Sequence, residues 1–242
     1  MVCRFCKRER KLIKAHIIPA AFFDPLRDGK RAPEIHSNTE GVPKKRTPTG
    51  IYDPEILCSE CDGKFSVWEQ HAKDVLLANF SIAQPITDKG KTLGYKIEDF
   101  DYAKLKLFVL SVVWRASTSS QDFYDRIDLG PHADRILEML SVVNPGEAED
   151  YAVTIAKFDD PEFTGMLDPQ AEKMDGVNHI RLYLTGFVVY IKVDKRPTPP
   201  FLRDLVLSSD KPLVLPLRGL SSSKDGALMR EIVRKSASAD DV

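Results

Sequence analysis

"VCRFCKRERKLIKAHIIPAAFF" occupies residues 2–23, and "GIYDPEILCSECDGK" answers it at residues 50–64. Each stretch carries a Cys-x-x-Cys pair, Cys3 with Cys6 and Cys58 with Cys61. That spacing lets one turn of backbone aim two thiolates at the same ion. Two such turns complete the tetrahedral sulfur set that zinc prefers. The chain has 4 cysteines, so none is left over. Residues 7–57 separate the pairs, too long a span for a single zinc ribbon. A structural zinc there pins the N-terminus onto a later segment and leaves something functional looped out between.

The intervening chain reads as strand, loop, strand, helix. "KLIKAHIIP" (residues 11–19) is expected as a short strand, with Leu12, Ile13, Ile17 and Ile18 apolar and Pro19 ending it. "AAFFDPLRDGKRAP" passes from a short helix into turn-rich chain. Residues 27–50 hold Gly29, Pro33, Gly41, Pro43 and Pro48 and the basic triplet Lys44, Lys45, Arg46. They read as a long, mobile, basic loop or an irregular hairpin. "GIYDPEILC" returns as the second strand, and a helix is expected from about Asp62 to Asn79. At 100° per residue, Phe65, Trp68, Ala72, Val75 and Leu76 share one apolar face. Asp62, Ser66, Glu69 and Lys73 form a neighbouring polar stripe, and His71 points away from Asp62.

Composition sets the outer limits. With 242 residues, 43% of them hydrophobic and 29% charged, the chain has the balance of a soluble globular protein with one sizeable core. No apolar run approaches the roughly 18 residues a membrane span needs. The N-terminal residues are charged and lack the apolar core of a signal peptide, so the expectation is a reducing cytoplasm, where disulfides are rare. The net charge of −1 hides an asymmetry: residues 1–50 hold 12 Lys and Arg against 5 Asp and Glu. That excess fits a local surface facing a polyanion; it also fits a solvated basic face with no partner.

The motif pair has a family likeness. "AHIIP" followed by "DPEILCSECDGK" resembles the HNH nuclease pattern, in which a "DHIIP" strand precedes an "NLxxLCxxCN" return strand and helix. It is also similar to the HNH-like branch carrying "SHIIP" and "LCxxCE", with a Glu further along the helix. The resemblance covers residues 1–79 and implies a ββα-metal module. Carried over by position, His16 matches the general base that takes a proton from the water attacking a phosphodiester. Asp53 stands where the family has an asparagine that orients the histidine through the loop backbone. Asp62 matches a ligand of the catalytic Mg²⁺ or Mn²⁺, and Glu69 is the further acidic residue. The chemistry agrees: a neutral histidine accepts a proton near pH 7, and a hard carboxylate holds a hard cation. His16 is expected to face Asp62 across a solvent-open cleft.

Two positions depart from the pattern. Ala15 stands where an Asp or His ligand often precedes the histidine, and Ser66 stands where some members place another histidine. Glu69 lies two turns from Asp62, about 10 Å of rise, and has an alternative partner in Lys73.

The rest of the chain reads as helices followed by strands, giving an α+β protein. Leu105, Phe108, Val109, Val112 and Val113 mark a buried helix, at whose end Trp114 and Arg115 read as packing and a helix-end charge. "LGPHADRILEMLSVV" puts Pro131 at a first turn. "YAVTIAKF", "HIRLYLTGFVVYIKV" and "KPLVLPLR" are strand-like, with Thr185-Gly186 bending the second into a hairpin. The expected organisation is a zinc-stapled module at 1–80, an α+β region at 81–220, and a partly disordered tail at 221–242. There is no Gly-rich phosphate loop, no GxSxG, no internal repeat and no heptad. The implied activity is a metal-dependent DNA endonuclease of the kind found in bacterial or phage-associated defence. Its C-terminal region is expected to serve recognition, a partner protein or homo-oligomer formation. The competing reading is a zinc-stapled nucleic-acid-binding or adaptor protein that keeps the fold without cutting; Ala15 and Ser66 favour it.

Overall fold

The computed structural model describes residues 1–27, 32–36, 45–159 and 166–219. In chain order the elements are β1 (Ala15–His16), β2 (Glu34–His36), β3 (Lys45–Arg46), β4 (Tyr52–Asp53), α1 (Ser59–Lys73), β5 (Gln84–Asp88), β6 (Lys91–Ile97), α2 (Tyr102–Thr118) and α3 (His132–Ser141). Then follow β7 (Val153–Phe158), β8 (Met166–Leu167), β9 (Gln170–Met174), β10 (Val177–Leu184), β11 (Phe187–Lys192) and β12 (Leu213–Arg218). The protein is mixed α and β, and no described helix is long and apolar enough to cross a membrane.

The N-terminal third has the expected order, with shorter strands. β1 pairs antiparallel with β4, Ala15 opposite Asp53 and His16 opposite Tyr52. Leu12 adds an isolated bridge to Cys58, and Ile17 N–H donates to the Ile51 carbonyl at 3.1 Å. Ile17 and Ile18 are buried and anchor the strand. The return turns at Gly50, whose φ of +90° suits glycine. A Cβ there would lie 2.3 Å from the Phe23 ring, so this backbone passes directly against an aromatic face. The basic connection is an irregular hairpin in its described part: β2 pairs antiparallel with β3 and parallel with β8. Residues 37–44, Lys44 among them, lie outside the described residues, as does the tail from 220 onward.

Helix α1 begins at Ser59, one turn earlier than its apolar spacing suggests. Cys58 adopts the extended conformation of a cap, and its carbonyl accepts from the N–H groups of both Cys61 and Asp62. Glu60 and Asp62 occupy the first turn, where the positive end of the helix dipole favours carboxylates. Cys61, Phe65, Trp68 and Ala72 form the buried stripe. The helix then widens into a π turn over Asp74–Ala78, with Asn79 N–H reaching the Asp74 carbonyl. Val75 and Leu76 stay buried through it.

The helices-then-strands order needs correction. The β5–β6 hairpin precedes α2, and β6 joins β12 from the far end of the described chain. One seven-stranded sheet results, ordered β5-β6-β12-β7-β11-β10-β9 and antiparallel except where β12 runs alongside β7. The overlooked signal is Lys89-Gly90, both at positive φ, the conformation a tight hairpin turn requires. The Thr185-Gly186 turn connects β10 and β11 as expected.

Helix α2 is buried from Leu105 to Ala116 on every face, which is what a helix apolar all round must be. Its N-cap Asp101 accepts from Lys104 N–H at 3.0 Å, and Asp101 N–H donates to His71 Nε2 on α1 at 2.9 Å. A single buried cluster runs from Cys3 through α1 and α2 to Leu215 of β12. The N-terminal segment also reaches the sheet, because Thr185 Oγ1 donates to the Phe22 carbonyl.

Candidate metal centre and active site

The four cysteines converge. Cys3 sits in a tight turn closed by Lys7 N–H on its carbonyl at 2.9 Å, with Lys7 at φ +58°. Cys58 and Cys61 lie at the cap and first turn of α1. Arg4 N–H to the Ile56 carbonyl and Ile13 N–H to the Leu57 carbonyl stitch the two knuckles together. All four Sγ atoms lie within 4.8 Å of one another. Zinc–sulfur bonds of about 2.3 Å require tetrahedral edges of about 3.8 Å, so the donor set fits such an ion with little adjustment. Burial works against the Cys3 thiolate, but the backbone N–H groups of Cys6, Cys58 and Phe5 outweigh it and bring the thiol to about 7. Burial, reinforced by the neighbouring sulfurs, pushes Cys61 up. Four cysteines are thus positioned to bind a metal ion such as zinc.

His16, Asp62 and Glu69 influence one another electrostatically, and Asp62 directly follows Cys61 in the chain. The His16 ring is half-buried and meets Tyr52 edge to face at 6.1 Å. Burial holds its pKa below the usual histidine value; the charges of Asp62 and Glu69 pull it up and Arg115 pushes it down. Burial raises the Asp62 carboxyl, as does repulsion from Glu69, against the opposing pull of Arg115 and His16. His16 is less open than a solvent-exposed cleft would make it: its Nε2 is buried and has no hydrogen-bond partner among the described residues. Ser66, between the two acids on α1, directs its hydroxyl to the Gly63 carbonyl at 2.7 Å.

Arg115 lies in the last turn of α2, as expected of a helix-end charge, but it is 1% exposed, and its partners are what sequence reasoning missed. Its Nη1 donates to Glu69 Oε1 at 2.7 Å and to the His16 carbonyl at 2.8 Å. Glu69 therefore pairs with α2, while the structure assigns no such bond to Lys73. The clue was present: an arginine inside an all-round apolar helix must be paired when buried.

Asp53 is fully enclosed. One carboxylate oxygen accepts from Glu55 N–H at 2.8 Å; the other accepts from Ser120 N–H, Ser119 Oγ and Ser120 Oγ at 2.8, 2.9 and 3.1 Å. Asp53 is thereby tied to the end of α2 and sits across the β1–β4 pair from Ala15. Lys45 and Arg46 are exposed on β3, where Arg46 pairs with Glu34 at 3.2 Å. Arg4, Lys7, Arg8, Lys11 and Lys14 are exposed around the first knuckle and β1.

Among the described residues, only the cysteines form a group of three or more metal-ligating side chains with donor atoms this close. A Mg²⁺ ion keeps several waters and takes only one or two carboxylates. Asp62 would meet that demand as a single carboxylate, and it stands outside the cysteine group. Comparison with protein-family models, with curated proteins and with solved structures finds no match.

Proposed function

We propose that this protein is a metal-dependent, HNH-like endonuclease that hydrolyses DNA phosphodiester bonds. The observation that supports it most is that His16, on the short strand pair, feels the charges of Asp62 and Glu69 on the helix that carries two of the four clustered cysteines. In this reading a structural zinc on Cys3, Cys6, Cys58 and Cys61 fixes β1 relative to the first turn of α1. Asp62 would hold Mg²⁺ or Mn²⁺, which when bound supplies positive charge beside the phosphate. His16, kept neutral by its surroundings, takes the proton from the attacking water. Nε2, buried and without a hydrogen-bond partner among the described residues, is the ring nitrogen assigned that proton in this reading. Asp53 steadies the strand opposite His16. Lys45, Arg46 and the exposed lysines and arginines of the first knuckle meet the phosphate backbone, the contact that drives sequence-independent DNA affinity. A reducing cytoplasm suits the unoxidised cysteines, and cleavage of foreign DNA in bacterial or phage defence suits the activity.

A second reading has its own support. Ala15 offers no ligand, Ser66 is turned to its own helix, and Glu69 is engaged in an ion pair with Arg115. Those features suit a zinc-stapled nucleic-acid-binding or adaptor protein. A plasmid-nicking assay with Mg²⁺, with Mn²⁺ and with chelator separates the two. The nuclease nicks only with the divalent ion, and His16→Ala lowers the rate by about 10²–10⁴-fold, the usual loss for a general base. Wild-type protein that binds DNA but leaves the plasmid intact under every condition establishes the adaptor instead.

A further inference from the structure

We propose that the C-terminal end of α2 is the positioning element of this site, Arg115 holding β1 against α1 while Ser119 and Ser120 hold β4. Its effect on cleavage rests on the nuclease reading; the geometry does not. Arg115 reaches three elements at once. Nη1 bridges the His16 carbonyl on β1 and the Glu69 carboxylate on α1. Nε and Nη2 donate to the Ser111 carbonyl and hydroxyl on α2 itself, both at 3.2 Å. The guanidinium lies over the Phe65 ring of α1 at 5.2 Å. A guanidinium has five N–H donors, and these contacts use four of them. A side chain so enclosed and so fully engaged has little to offer a substrate, so its role is to position.

One turn further along, Ser119 and Ser120 receive the Asp53 carboxylate. Asp53 and His16 belong to the paired strands β4 and β1, so the same helix end grips both members of the pair. Through Glu69 the Arg115 guanidinium also holds α1, the helix that carries Asp62, so one helix end ties His16 and Asp62 to a common frame. Stability alone is a weak reason for such an arrangement, because replacing both members of a buried ion pair by apolar side chains of similar volume is often neutral or stabilising. A planar fork that fixes a carbonyl and a carboxylate in one geometry does give a reason.

The test uses the full-length, zinc-loaded chain with Arg115→Met, Arg115→Lys and the double change Ser119→Ala, Ser120→Ala. Cleavage is resolved into kcat and KM, and the His16 imidazole is followed by proton–nitrogen correlation at one fixed pH. His71, His132 and His179 serve as internal references. Arg115→Met should fold, keep KM within about threefold and lose about 10–100-fold in kcat, the penalty of a misplaced reacting group. Its His16 signal should move while the three references stay. Arg115→Lys, which keeps the charge without the fork, should recover only part of kcat. The serine pair should lose less, since Ser120 N–H still reaches Asp53. Wild-type kcat together with an unmoved His16 signal in Arg115→Met overturns the proposal. If Arg115→Met does not fold, Arg115→Lys and Glu69→Gln decide, and wild-type kcat in both overturns it. If the wild type cuts no DNA, the nuclease reading fails on its own. The His16 signal then still decides the positioning role, an unmoved signal in the variants counting against it.

Discussion

Asp53→Asn is the most exacting test of how the β1–β4 pair is held. The substitution keeps shape and removes charge. The carboxylate accepts from four donors, two of them the backbone N–H groups of Glu55 and Ser120, and these approach opposite oxygens. An asparagine amide presents one oxygen and one NH₂, so in either orientation one backbone N–H faces another donor. A hydrogen bond to a charged group contributes about 1.5–3 kcal/mol, and a buried unsatisfied group costs about 1–3 kcal/mol. The expected loss is about 3–4 kcal/mol, a large share of the roughly 5–15 kcal/mol that holds a domain folded. For a chain of this size that lowers Tm by about 6–16 °C. Circular dichroism scans at pH 7 on zinc-loaded protein measure it. The pH dependence supplies the sign. Burial pushes the Asp53 carboxyl up, but the N–H groups of Ser120 and Glu55 and the hydroxyls of Ser119 and Ser120 outweigh it and hold the pKa below the usual value. Such a group contributes stability that is complete above its unfolded pKa of about 3.9 and is lost as pH falls through the folded value. The gap between wild type and Asp53→Asn should therefore shrink below about pH 4. A Tm change under about 2 °C at pH 7 contradicts the hydrogen-bond reasoning, as does a gap that persists unchanged in acid.

Metal analysis of native protein should find about one zinc per chain, and Cys58→Ser should lower folding yield rather than cleavage alone. Zinc-free protein with four thiols open to reagent refutes that centre. Asp62→Ala should abolish Mg²⁺-dependent nicking, and millimolar Mn²⁺ should restore part of it. Unchanged nicking removes Asp62 from the ion site. Neutralising Lys45 and Arg46 should flatten the slope of log affinity against log salt by up to about one unit for each phosphate left without its cation. Arg46 should contribute the smaller part because Glu34 already pairs with it. An unchanged slope moves the DNA-binding surface to the exposed lysines and arginines around the first knuckle.

The sequence alone determined features written in short-range spacing. Two Cys-x-x-Cys pairs announced a four-sulfur centre, because three-residue spacing on a turn aims both thiols the same way. The apolar stripe of Phe65, Trp68 and Ala72 announced a helix, and the β-branched runs announced β7, β10 and β11. His16 and Asp62 could be named as candidates because each lies within a few residues of a recognisable signal. Glu69 was visible as an acid on the Asp62 side of α1, but its partner Arg115 was not. Tertiary structure decided everything that joins distant residues. Arg115 reaches the His16 carbonyl across 99 residues of chain and Glu69 across 46. Ser120 reaches Asp53 across 67. Likewise β12 inserts between β6 and β7, and β8 joins the basic hairpin. Local periodicity records only which face of an element is apolar. Which buried charge meets which carbonyl follows from how helices and strands come together, because an enclosed guanidinium must find its acceptors wherever the fold brings them.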